Sequence, residues 1–133
     1  MPRGYKAMLD EALARIETLT PQQAAEQLGR DDVVFVDLRD PRELEREGMV
    51  PGAFHATRGM LEFWIDPESP YHKPVFAEKK QFIFYCAGGW RSALAASTAK
   101  EMGLEKVAHI HGGMGDWKKA GLPVAEWTPK AKA

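Results

Sequence analysis

The chain's single cysteine stands in a stretch whose residue types could perform nucleophilic chemistry. Cys86 follows the apolar run QFIFY and precedes AGGWRS, a segment with two glycines, an arginine and a serine. A turn between a strand and a helix directs backbone N–H groups and the positive end of the helix dipole toward its centre, where they stabilise an anion such as a thiolate. Cys86 is therefore the candidate nucleophile of a covalent mechanism.

The residues after the cysteine suit an anion-binding turn. Gly88 and Gly89 allow the backbone conformations that such a turn needs, and Arg91 adds a positive charge within reach. Ser92 is expected to cap the following helix through its hydroxyl. A buried cysteine before a plain glycine turn would explain an isolated Cys-Gly pair. The combination with the arginine, the serine and a helix favours a reactive thiol instead.

Trp90 allows two interpretations. Its large apolar side chain could face the rim of the pocket, as a docking surface for an acceptor or as a pocket wall. It could equally pack on the segment of residues 63–76, which is rich in aromatic residues and prolines. The sequence favours neither.

The elements that must hold this turn alternate between strands and helices. Continuous apolar, β-branched runs are typical of strands buried on both faces, and capping residues, prolines and glycines mark the helix ends. The pattern predicts strands over residues 33–38, 53–56, 81–86 and 106–111, and helices over residues 20–29, 40–48, 91–103 and 114–121. Such alternation indicates an α/β fold, a mainly parallel central sheet with helices on both faces.

A parallel sheet brings the carboxyl ends of its strands to one edge, where ligands bind. Those ends carry Asp37, Cys86 and His111. His109 and His111 share one side of their strand because side chains alternate. No carboxylate or thiol pattern completes a metal site around them, so structural histidines are expected. Glu43 stands three residues after a capping position and is interpreted as part of a capping box.

Length and composition indicate one domain of 133 residues. Residues 1–19 are predicted as an N-terminal amphipathic helix, residues 20–127 as the main domain and residues 128–133 as a polar tail. The net charge of −1 gives no electrostatic footprint for nucleic acid or an anionic membrane surface. One cysteine excludes a disulfide within the chain, and no apolar stretch approaches a membrane span. The cytoplasm is the expected compartment, and the oligomeric state stays open.

Three stretches together resemble the rhodanese-type sulfurtransferase family. CAGGWRS is similar to the family's active-site loop, in which a cysteine opens six residues closed by an arginine. VDLRDPRELEREGMVPGAFHA resembles the first signature, and HIHGGMGDWKKAGLPV resembles the closing one. The resemblance runs from about Thr20 to Val124 in the family's order. It implies a single rhodanese-like domain.

The resemblance also implies a mechanism. Cys86 would attack the sulfane sulfur of a donor, carry it as a persulfide and pass it to a thiophilic acceptor. The loop would hold the terminal sulfur through its backbone amides, with Arg91 helping to stabilise the charge; the loop residues are Ala87, Gly88, Gly89, Trp90, Arg91 and Ser92. Asp37 and Arg39 match the first signature and would orient loops through an ion pair. No metal or organic cofactor is needed, because thiolate attack exchanges the sulfur.

The expected partners are a small-molecule sulfur donor and acceptor, or a sulfur-relay protein. Family members proficient with thiosulfate often carry a basic residue at the position of Gly88. Without that charge, a dianionic donor has fewer anchors here, so both thiosulfate and a persulfide stay open as the donor.

Two other functions compete with sulfur transfer. Phosphatases and arsenate reductases also use loops of cysteine and arginine, but phosphatase loops place five residues between them, whereas four separate Cys86 from Arg91. The loop also has no acidic residue to act as a general acid. A non-catalytic rhodanese-like binding module, or one that senses redox state through an exposed thiol, is the second alternative.

Overall fold

A five-stranded parallel sheet forms the centre of the protein. The computed structural model describes residues 3–128. Its strands are β1 (Glu17–Leu19), β2 (Val33–Asp37), β3 (Phe54–His55), β4 (Gln81–Tyr85) and β5 (Val107–Ile110). They lie in the order β1-β5-β4-β2-β3, and each neighbouring pair is parallel. The predicted α/β class with a parallel sheet is confirmed.

Within residues 3–128, six α-helices accompany the strands. They are α1 (Tyr5–Arg15), α2 (Pro21–Ala25), α3 (Pro41–Glu47), α4 (Leu61–Ile65), α5 (Trp90–Glu101) and α6 (Gly113–Lys119). Helices α2 to α5 connect successive strands, whereas α1 precedes β1 and α6 follows β5. Local capping chemistry sets two of their starts. The Thr20 hydroxyl accepts from the Gln23 amide at 3.1 Å before α2. Before α3, the Asp40 carboxylate accepts from the Arg42 amide at 2.8 Å.

Alternation along the strands gives the sheet an apolar layer on each face. On β4, Phe82 and Phe84 join one core cluster, whereas Ile83 and Tyr85 join the other. Helices α4 and α5 cover the first face, with Leu61, Ile65, Ala95, Ala96 and Ala99. Helices α2 and α6 cover the second, with Ala24, Met114 and Trp117. Helices on both faces explain why the central strands are apolar throughout.

The N-terminal prediction is wrong at its end. The helix expected over residues 1–19 ends at Arg15, and Glu17–Leu19 form strand β1 instead. Glu17 pairs with Ala108 and Leu19 with Ile110, so these residues complete the free edge of β5. Backbone hydrogen bonds to the edge of β5 outweigh the helical spacing of the apolar residues, because tertiary pairing overrides a local preference.

Only Thr128 of the predicted polar tail lies within the described residues. Within residues 3–128, no helix is both long enough and apolar enough to cross a membrane.

Candidate active site

The thiol of Cys86 lies where β4 ends and α5 begins. The chain turns through Ala87 and Gly88 to Gly89, which precedes the helix with φ +105°, a left-handed conformation that favours glycine. The Gly89 N–H donates to Cys86 Sγ at 3.1 Å. Cys86 is only 1% exposed, so the exposed thiol on which the redox-sensing alternative depends is not what the structure shows. The turn encloses the sulfur and leaves it little contact with solvent.

A second glycine turn supports the cysteine loop from below. The Met114 amide donates to the Cys86 carbonyl at 2.8 Å, and the Gly115 amide donates to the Ala87 carbonyl at 3.1 Å. Gly113 has φ +56°, and a Cβ there would lie 2.3 Å from the Cys86 carbonyl oxygen. Gly113 at the start of α6 is therefore required for the close approach of these two backbones.

A shallow depression of about 280 Å³ opens above the thiol, lined by Cys86, Gly88, Trp90 and Arg91. The structure thus brings these four predicted residues to one pocket. Ala87 is exposed beside them, whereas Gly89 is buried beneath. In the part of the chain that is described, the backbone hydrogen bond to Sγ comes from Gly89. The pocket suits a small reacting group rather than a bulky one.

Arg91 does not stand free beside the thiol. Its guanidinium makes two hydrogen bonds to the Glu43 carboxylate, at 2.8 and 2.9 Å. Glu43 also accepts from the Asp40 amide at 3.1 Å, as the capping box predicts. The hydrogen bonds from Arg91 lower the pKa of Glu43 to about 2. The pairing raises the pKa of Arg91 above its ordinary value, with a smaller contribution from the neighbouring thiol.

Sequence reasoning assigned Glu43 only to helix capping and missed its contact with the site. The signal was the position of Glu43 in the first turn of α3, which follows the carboxyl end of β2. Acidic side chains at that edge of a parallel sheet can reach a loop that follows a neighbouring strand.

Ser92 has a different role from the one predicted. It lies in the first turn of α5, after the N-cap Gly89, so it does not cap the helix. Its hydroxyl donates to the Gly89 carbonyl at 3.1 Å and lies 3.0 Å from His109 Nδ1. Cys86 Sγ is 3.7 Å from the same hydroxyl. Because the Ser92 hydroxyl donates its one proton to the Gly89 carbonyl, it accepts from His109. The ring proton of His109 is therefore assigned to Nδ1.

His109 completes this buried network on its far side. Its Nε2 lies 3.2 Å from the hydroxyl of Thr18, a residue of β1. His109 is 3% exposed, and burial, with the nearby charge of His111, lowers its pKa to about 4. The imidazole is therefore neutral near pH 7. A chain of hydrogen bonds from β1 through β5 to α5 thus fixes the position of Ser92 behind the thiol.

Asp37 and Arg39 form a buried ion pair beside the loop. Their exposures are 0% and 1%, and Arg39 donates to the two carboxylate oxygens at 3.0 and 2.7 Å. Arg39 also donates to the Gly48 carbonyl at 2.6 Å. The pair therefore joins the end of β2 to the turn after α3. The thiol pocket is lined by other residues.

Trp90 forms part of the pocket wall, which is one of its two interpretations, and also packs on helix α1. It is 63% exposed and lines the thiol pocket, while its ring packs against Tyr5 of α1 at a centroid distance of 5.2 Å and an interplanar angle of 35°. Packing on residues 63–76 is not what the structure shows. That segment instead covers the sheet, with Ile65 and Phe76 buried in the core.

Comparison with known proteins gives the site a family context. The family model of the rhodanese-like domain matches residues 20–120. Thiosulfate sulfurtransferase GlpE of Glaesserella parasuis serovar 5 (strain SH0165) is 34% identical over 106 residues, which cover 80% of this chain and 90% of that protein.

Two solved structures have the same fold. A protein of unknown function from Rhodopseudomonas palustris CGA009, described as a possible tyrosine phosphatase, is 63% identical, with a TM-score of 0.91 over 93% of this chain and 96% of that one. The polysulfide-sulfur transferase homodimer of Wolinella succinogenes is 29% identical, with a TM-score of 0.71 over 96% and 91% of the two chains. The family model spans most of the chain and the whole of the loop that holds Cys86, and the protein therefore belongs to the rhodanese-like domain family.

Proposed function

We propose that this protein is a sulfurtransferase that carries a sulfane sulfur as a persulfide on Cys86. The observation that carries the proposal is the hydrogen bond from the Gly89 amide to Cys86 Sγ, at 3.1 Å, within a turn that opens helix α5. Backbone donors and a helix N-terminus stabilise negative charge on sulfur, both on the attacking thiolate and on the persulfide that follows.

The reaction proceeds in two half-reactions. The Cys86 thiolate attacks the sulfane sulfur of the donor, a new S–S bond forms, and the donor's own bond to that sulfur breaks, with the electron pair leaving on the donor remnant. A nucleophilic acceptor then attacks the outer sulfur of the persulfide and regenerates the thiolate. Ping-pong kinetics follow from this order. The sulfur exchange needs no cofactor.

The relatives favour this function over dephosphorylation. GlpE of Glaesserella parasuis is a thiosulfate sulfurtransferase, and the protein of Wolinella succinogenes transfers sulfur from polysulfide. The description "possible tyrosine phosphatase" belongs to the neighbour from Rhodopseudomonas palustris. In this chain, four residues separate Cys86 from Arg91, and Arg91 is paired with Glu43. A phosphate dianion would have to compete with that carboxylate for the guanidinium.

The burial of the thiol argues against a redox sensor. Sensor cysteines are solvent-accessible, because an oxidant must reach the sulfur. Cys86 is 1% exposed and is held between the loop amides and Ser92. In the first half-reaction, Sγ meets the donor sulfur through the pocket that Cys86 lines, and in the second, the outer sulfur of the persulfide is the reacting atom.

Intact-mass analysis tests the proposal. The reduced protein is incubated with thiosulfate or with a low-molecular-weight persulfide, and its mass is recorded before and after cyanide. We expect a gain of one sulfur, about 32 Da, that cyanide removes. Cys86→Ser, which keeps nearly the same size and replaces the thiol by a hydroxyl, is the matched control and should gain nothing.

A parallel assay with p-nitrophenyl phosphate tests the phosphatase alternative. Absence of sulfur loading from every donor, together with Cys86-dependent phosphate release, would replace the proposal by phosphatase activity. Absence of both reactions would leave a binding module.

A further inference from the structure

The ion pair beside the thiol has a net charge close to zero. Arg91 lines the pocket, and both of its terminal nitrogens are engaged by Glu43 at 2.8 and 2.9 Å. The Glu43 side chain is 20% exposed and is also fixed by the Asp40 amide, so the carboxylate is held in place. An anion that enters the pocket is attracted by the guanidinium and repelled by the carboxylate beside it. The repulsion grows with the charge of the anion.

An apolar groove continues from the thiol pocket toward α1. It has a volume of about 440 Å³ and shares Gly88 and Trp90 with the pocket. Its apolar lining comes from Tyr5, Leu9, Leu13, Trp90 and Ala93. Lys6 and Asp10 also line it, and their charges are opposite. The groove therefore offers room and apolar surface to an uncharged organic group whose sulfur reaches toward Cys86.

We infer that Glu43 is a specificity-determining residue, which neutralises Arg91 so that Cys86 accepts sulfur from organic persulfides with an apolar body rather than from divalent thiosulfate. The organic body of the donor lies in the groove between α1 and Trp90. This inference rests on the proposed sulfur transfer and names its donor class.

The two donors differ in the charge that reaches the pocket. An organic hydropersulfide R–S–SH brings no charge, or one as its anion; Cys86 bonds to the outer sulfur, the S–S bond of the donor breaks, and the pair leaves on R–S⁻. Thiosulfate brings two charges, and its S–S bond breaks to release sulfite with both charges. Both reactions conserve charge and atoms. Glu43 opposes the second more strongly because the entering and leaving anions are divalent.

The test compares two glutamates on one helix. Glu43→Gln removes the charge but keeps a side-chain oxygen for the Asp40 amide, since glutamine serves equally in a capping box. Glu47→Gln is the matched control, because Glu47 lies on the same helix and pairs with Lys118 at 2.8 Å instead. For each protein, kcat/KM of sulfur loading is measured with thiosulfate and with benzyl hydropersulfide.

We expect Glu43→Gln to raise the ratio of thiosulfate to benzyl hydropersulfide kcat/KM about tenfold, and Glu47→Gln to leave it unchanged. In the native protein, thiosulfate loading should not fall as salt is added, because Arg91, paired with Glu43, offers no net positive charge that salt could screen. An unchanged ratio in Glu43→Gln, or a steep loss of thiosulfate loading with salt in the native protein, overturns the inference while sulfur transfer stands.

A third variant tests the groove. Tyr5→Ala should lower kcat/KM for benzyl hydropersulfide relative to thiosulfate about fivefold, because it removes apolar surface beside Trp90. Tyr71→Ala, at an equally exposed tyrosine elsewhere, is the control. Equal ratios in both variants refute binding in the groove. If neither donor loads sulfur onto the native protein, the proposed sulfur transfer itself is refuted. If sulfur is loaded but the ratios do not change, only the inference about the donor class is refuted.

Discussion

Gly113→Ala should destabilise the protein strongly, although it adds only one methyl group. Gly113 has φ +56°, and its Cβ would lie 2.3 Å from the Cys86 carbonyl oxygen and 2.9 Å from Ala87. The left-handed conformation costs an L-residue about 1–2 kcal/mol. Displacing a packed backbone costs about 1–3 kcal/mol more. We therefore expect a loss of roughly 2–5 kcal/mol in the free energy of unfolding.

A matched glycine separates the two contributions. Gly29 has φ +79°, and a Cβ there would meet nothing within 4 Å. Gly29→Ala therefore retains the conformational cost and lacks the overlap, and should lose only about 1–2 kcal/mol. Urea unfolding followed by circular dichroism gives both free energies.

The reactivity of the thiol supplies a second readout. The overlap at Gly113 should loosen the hydrogen bonds from Met114 and Gly115 that hold the cysteine loop, and so expose Cys86 to iodoacetamide. We expect faster alkylation in Gly113→Ala than in Gly29→Ala when both variants are assayed without denaturant. If the two variants lose the same stability and alkylate at the same rate, the close approach of the two loops is not a constraint and the argument is refuted.

Two further variants test the buried polar groups beside the site. Asp37→Asn should lose about 3–5 kcal/mol of unfolding free energy by urea titration, because it leaves the buried Arg39 charge without its partner; the exposed Asp32→Asn should show no measurable loss. Burial lowers the pKa of His109 from 6.5 to about 4, so His109 stays neutral in the folded protein while the unfolded chain takes up a proton. The contribution of His109 to the free energy of unfolding is therefore complete above pH 6.5 and is lost as the pH drops toward 4. His109→Gln should flatten that pH dependence, and an equally steep loss in the variant would contradict the assignment. The same variant should also weaken the hydrogen bond that positions the Ser92 hydroxyl.

The sequence predicted the parts of this protein that depend on neighbouring residues. The apolar run of β4, the glycines after Cys86 and the helix that follows are local patterns, and the structure has them in that order. The capping box of α3 formed as predicted, and α2 begins with one as well, since the donors and acceptors lie within three residues of each other. Parallel topology also followed from the alternation of strands and helices.

The contacts that define the site were decided by tertiary structure. Arg91 meets Glu43 across 48 positions in the chain, and Ser92 meets His109 across 17. These distances depend on the order of the strands, which places β4 between β2 and β5. Periodicity along a chain reports which face of an element is buried, but not which neighbour covers it.

The same reason explains the error at the N-terminus. Apolar residues at helical spacing are compatible with a helix, and only the free edge of β5 made Glu17–Leu19 a strand. The sequence by itself determined the fold class and the turn between a strand and a helix that holds Cys86, the candidate nucleophile. Tertiary structure alone decided the burial of the thiol, the pairing of Arg91 and the groove beside Trp90, because each depends on residues that are distant in the chain and adjacent in space.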